Sequence, residues 1–85
     1  MATVKVKATG DVFRVFIDGI RLQFSGANAS KNVEPGEHVI SWVVRGAPAS
    51  SYSVAITAPA DSTFSKEAKL DSTMLDAGLH FFQTS

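Results

Sequence analysis

The sequence predicts an all-β fold: a single antiparallel β-sandwich of about seven short strands, immunoglobulin-like or a related Greek key. Three observations carry this. Residues 13–24 hold two alternating apolar stretches around an Asp-Gly pair, turn-forming residues recur roughly every ten positions, and no strand–helix–strand rhythm interrupts them. The Asp18-Gly19 pair is a two-residue hairpin signal that sets Ile17 opposite Ile20, Val15 opposite Leu22 and Phe13 opposite Phe24, so six apolar side chains share one face. A two-stranded ribbon with one apolar side needs more strands to cover it.

The elements follow in order. Val4, Val6 and Ala8 alternate with Lys5 and Lys7, a half-buried strand whose lysines would guard a sheet edge. Gly10-Asp11 ends it and the hairpin follows. Residues 25–32 are small and polar and read as a loop. Glu34-Pro35-Gly36-Glu37 places Pro and Gly at the centre of a type II turn, where a second hairpin is expected to close. Ile40, Trp42 and Val44 alternate with Val39, Ser41 and Val43, the pattern of a central strand with Trp42 facing inward. After the breaker-rich residues 46–51, Tyr52, Val54 and Ile56 mark a strand with one wet face.

Pro59-Ala60-Asp61-Ser62 turns the chain again. Lys66-Glu67-Ala68-Lys69-Leu70 are good helix formers, so residues 64–76 leave helix and strand both open. The inward set Phe64, Ala68 and Leu70, among Ser and Thr neighbours, favours a strand with Lys66 snorkelling. Gly78 resets the chain for a terminal strand through Leu79-His80-Phe81-Phe82-Gln83, in which His80 and Phe82 face away from Leu79 and Phe81.

Eighty-five residues without a repeat or linker make one domain, 1–85, whose core needs no staples, and the chain has no cysteine to form any. Eight basic and eight acidic residues cancel and are scattered. That excludes the basic footprint of a nucleic-acid binder or an anionic-membrane binder. Met1-Ala2-Thr3-Val4-Lys5 lacks the apolar run of a secretory signal, and no stretch is long enough to span a bilayer. The chain therefore reads as soluble, and as cytoplasmic unless a leader has been removed.

Little in the sequence points to chemistry. Glu34, Glu37 and His38 are the one place where carboxylates and an imidazole are neighbours, but a structural metal takes more ligands, and glutamates flanking Pro-Gly suit a solvated turn. His80 reads as a half-buried strand residue. The serines show no nucleophile-elbow pattern, Asp61, Glu67, Asp71 and Asp76 read as scattered surface charges, and each glycine falls singly at a turn. Asn28-Ala29-Ser30 matches the glycosylation acceptor pattern but reads as chance. No catalytic residue, cofactor or metal is assigned.

Aromatic placement says more. Phe16 points away from the hairpin's core face, opposite Arg21, with Arg14 on the same side. With Val39 and Val43 on the outer face of their strand and Phe82 on the terminal one, Phe16, Arg14, Arg21, Val39, Val43 and Phe82 form the expected interaction surface. At Val15-Phe16-Ile17-Asp18-Gly19 and Val33-Glu34-Pro35-Gly36-Glu37-His38-Val39-Ile40 the chain resembles PEGA-type β-sandwich domains, although the tetrapeptide that names that family is absent. The resemblance implies a non-enzymatic interaction module. The expected function is therefore a non-catalytic binding or assembly module, a homo-oligomer or one that docks to a protein partner. The alternative is a carbohydrate-binding module using exposed aromatics, with a platform around Phe16 and Trp42, against which the inward reading of Trp42 speaks.

Overall fold

The computed structural model describes residues 2–84 and confirms an all-β sandwich of two four-stranded antiparallel sheets. Met1, taken above as the start of a leaderless N-terminus, and the side chain of Asp61, read as a surface charge, lie outside the described residues. The strands are β1 (Ala2–Thr9), β2 (Val12–Ile17), β3 (Ile20–Arg21), β4 (Asn28–Val33), β5 (Gly36–Arg45), β6 (Ser51–Ala58), β7 (Phe64–Lys69) and β8 (Leu75–Thr84). The first sheet runs β4-β1-β6-β7 and the second β3-β2-β5-β8.

Asp18 and Gly19 both take positive φ, 52° and 78°, the backbone that lets a two-residue hairpin follow the twist of its strands. Ile17 pairs with Ile20, and the Leu22 N–H donates to the Val15 carbonyl at 2.9 Å. The Phe13 and Phe24 rings meet edge to face at 5.1 Å. Five of the six expected core side chains turn inward; Ile20, at the end of a two-residue strand with nothing above it, is exposed. Val4, Val6 and Ala8 of β1 pack against Tyr52, Val54 and Ile56 of β6, and across the interlayer against Val15, Ile17, Ile40, Trp42 and Val44. Residues 64–69 are a strand, which settles that alternative in favour of the alternating apolar set over helix propensity.

Four expectations are corrected. Lys5 and Lys7 do not guard an edge, because β1 lies between β4 and β6; they stand on the outer face instead. Residues 28–33 are not loop but an edge strand, paired with β1 from Ala2↔Val33 to Lys7↔Asn28. The Glu34-Pro35-Gly36-Glu37 stretch closes no hairpin, since β4 and β5 belong to different sheets. It carries the chain across the sandwich, with Gly36 at φ 129°. Gly78 resets nothing: it lies within β8 opposite Trp42.

Candidate assembly surface

Register parity decides what each strand shows to solvent. Side chains at directly paired positions share a face, and β5 pairs with β8 as Ile40↔His80, Trp42↔Gly78 and Val39↔Phe81. Because Ile40, Trp42 and Val44 are buried, the even-numbered residues of β8 face the core. Phe82 is consequently a core side chain and no part of an interaction surface, which corrects the sequence expectation. Leu79 and Phe81 take its place outside, 60% and 71% exposed. Sequence alternation shows that the two pairs oppose one another, and only the pairing with β5 shows which pair is inward.

The two outer faces differ sharply. That of the first sheet is wet: Thr3, Lys5, Lys7 and Thr9 on β1 lie beside Asn32 and Ser30 on β4 and Ser53 on β6, joined by bonds such as Thr3 Oγ1 to Asn32 Oδ1 at 2.7 Å. On the second sheet Val12, Arg14 and Phe16 of β2 adjoin Val39, Ser41, Val43 and Arg45 of β5, then Leu75, Ala77, Leu79 and Phe81 of β8. Five large apolar side chains, Val12, Val43, Leu75, Leu79 and Phe81, are exposed there.

The structure brings the expected Phe16, Arg14, Arg21, Val39 and Val43 together on this face: Phe16 is paired with Arg21 and Arg14 with Val43. Phe16 and Val39 are half-buried. A depression of about 170 Å³ is lined by Val12, Arg14, Val43, Arg45 and Leu75. Trp42 is buried, so the aromatic platform imagined for a glycan loses its tryptophan.

Hydrogen bonds hold His38 at both ring nitrogens. His38 Nδ1 meets Asp18 Oδ2 at 2.6 Å and its Nε2 meets the Glu34 carbonyl at 2.6 Å, so both ring nitrogens face acceptors and none is free to take a substrate proton. Asp18 is held in turn by the Val39 N–H at 3.0 Å. The bond to Asp18, then that to the Glu34 carbonyl, raises the His38 pKa against the effect of burial. Burial pushes Asp18 upward, but its bonds to His38 and Val39 and the positive charges of His38 and Lys31 outweigh it, and its pKa is lowered. The Phe82 ring covers the imidazole at 5.7 Å. Glu37 and Gln83 stand together on the other face, Gln83 Nε2 donating to Glu37 Oε1 at 3.3 Å, and among the described residues no three His, Asp or Glu side chains converge as metal ligands would. His80 stacks flat on Phe64, with ring centroids 4.0 Å apart. Tyr52 donates to Asp76; its pKa is raised by burial and by that bond.

The His38 clamp ties the β2–β3 turn to the β4–β5 crossover, and its contribution to stability depends on pH. A raised histidine pKa stabilises fully below the unfolded value of about 6.5 and is lost as pH rises through the folded value. Asp18 works oppositely at the acid end, its contribution vanishing as pH falls through its depressed pKa. Asp18 is 41% exposed, so screening reduces the effect to about 1 kcal/mol. Urea unfolding is expected to show that loss as the pH rises above the ordinary histidine value of about 6.5, and His38→Gln should flatten it. An unchanged slope in the variant would show that the clamp contributes nothing.

Comparison with protein-family models, with curated proteins and with solved structures found no match to this chain.

Proposed function

We propose that this chain is a non-catalytic assembly module that self-associates through the β8 side of its second sheet. The observation carrying this reading is that five of the seven exposed large apolar side chains among the described residues gather on one outer face, ending at Leu79 and Phe81, while the opposite face is covered with Ser, Thr, Asn and Lys. Apolar surface gathered in this way marks an interface more often than scattered residues do. Burying a few hundred Å² of it per partner contributes on the order of 10 kcal/mol, before an association cost of similar order. That balance fits dimers that form with rising concentration. The resemblance to PEGA-type interaction modules favours the same reading.

Sedimentation velocity from about 10 μM to about 1 mM tests it. The mass is expected to rise from 9.0 kDa towards that of a dimer, and the double variant Leu79→Lys, Phe81→Lys should remain monomeric with an unchanged circular dichroism spectrum. A wild-type chain that is monomeric throughout would overturn the proposal.

A further inference from the structure

The four sheet edges are not equally defended. β3 has two residues, β4 carries Lys31, and β7 carries Lys66 and Lys69. β8 has ten residues, no Lys, Arg or Pro, and a single charged side chain, Asp76, which is turned inward onto the Tyr52 hydroxyl, although charges and proline are the usual means of blunting an edge.

The hydrogen-bond phase of β8 identifies which of its backbone groups are open. The Gly46 N–H donates to the Met74 carbonyl at 3.1 Å, one step beyond the Arg45↔Leu75 pair. Antiparallel pairs alternate between bonded and non-bonded, so the even-numbered residues of β8 bond to β5 and the odd-numbered ones aim their N–H and C=O outward. The ends of this open row are already occupied. The Leu75 carbonyl accepts from Thr73 Oγ1 at 3.3 Å and the Ala77 N–H donates to Asp76 Oδ1 at 2.9 Å, while Ser62 Oγ donates to the Gln83 carbonyl. Between these caps stand the N–H and C=O groups of Leu79 and Phe81, which flank His80, with the Ala77 C=O and the Gln83 N–H on either side of them. A groove of about 580 Å³ lined by His80, Phe81, Gln83, Ser62 and Thr63 adjoins the Phe81 end of this stretch.

We infer that a second copy of this chain adds here, β8 against β8, joining two second sheets into one continuous eight-stranded sheet. This rests on the self-assembly reading above and names its geometry. A two-fold axis through His80 pairs Leu79 of one copy with Phe81 of the other. Each such pair exchanges two N–H···O=C bonds, so the N–H and C=O groups of Leu79 and Phe81 on each copy are satisfied by the same groups on its partner. That self-complementarity is the argument for a second copy. Charge selects the edge over the face: the outer face carries Arg14, Arg21 and Arg45 against Glu37 alone, and stacking two such faces would oppose like charges.

Leu79→Pro and Val43→Lys separate the possibilities. Proline at 79 removes an N–H that points away from β5, so the intramolecular ladder survives, whereas Val43 lies on the face one strand in from the edge. By sedimentation, folded Leu79→Pro is expected to be monomeric and Val43→Lys to dimerise like wild type. Dimers of Leu79→Pro, or loss of dimers in Val43→Lys, would overturn edge pairing while leaving self-assembly standing; a monomeric wild type would instead overturn self-assembly itself. Should the proline variant fail to fold, amide hydrogen exchange in the wild type decides. The Leu79 and Phe81 amides should exchange at least about tenfold more slowly at dimer-forming concentration than in dilute monomer, and unchanged rates would refute the pairing.

Discussion

Trp42→Ala is expected to lower the free energy of unfolding by about 3–5 kcal/mol, the range for emptying a buried aromatic site. A chain of this length has roughly 4–13 kcal/mol in total, so the variant should lose about a quarter or more of its stability or fail to fold. The indole is buried at the centre of the second sheet, tilted against the Phe64 ring at 5.8 Å and seated on the backbone of Gly78. Among the described residues its Nε1 has no hydrogen-bond partner, so Trp42→Phe, which keeps much of the volume and removes that donor, should cost less than alanine. Urea unfolding of the three proteins checks this, and equal losses in Phe and Ala variants would show that indole packing is not the source.

Gly78→Ala is expected to destabilise by about 1–3 kcal/mol, even though alanine is intrinsically the better strand residue. A Cβ at position 78 would lie 2.5 Å from Trp42 Cζ2 and 2.8 Å from Cε2, closer than carbon atoms approach, and the ring is boxed in by Phe64. The cost therefore belongs to the pair. In a Trp42→Ala background, Gly78→Ala should be neutral or stabilising, with a coupling of at least about 1 kcal/mol in the double-mutant cycle. Additive losses would mean that the backbone of β8, not the indole, demands glycine.

Several elements were legible because their signals are local. Asp18-Gly19 between alternating apolar runs identifies its hairpin, since few residues take two successive positive φ values. Phe64, Ala68 and Leu70 mark a strand despite helix-forming neighbours. β4 was missed because only Val33 among its six residues is fully buried, and Asn28, Ser30 and Asn32 look like loop when nothing reveals that β1 lies alongside. Gly78 resembled a turn because the ring that requires it belongs to a residue 36 positions earlier in sequence. Of the expected surface, Phe16, Arg14, Arg21, Val39 and Val43 share the outer face of the second sheet. Phe82 does not, and Leu79 and Phe81 were overlooked.

Alternation and turn chemistry, both properties of neighbours in the chain, established by themselves that this protein is an all-β sandwich and which residues of each strand share a side. The tertiary structure alone decided which side is inward on β8, which strands are edges, and that the Pro35-Gly36 segment crosses between sheets. A period of two carries no sign: shifting a strand's pairing by one residue exchanges its faces without altering its sequence. Only the partner strand, brought close by packing across the whole chain, fixes that choice, and with it the surface on which Leu79 and Phe81 stand.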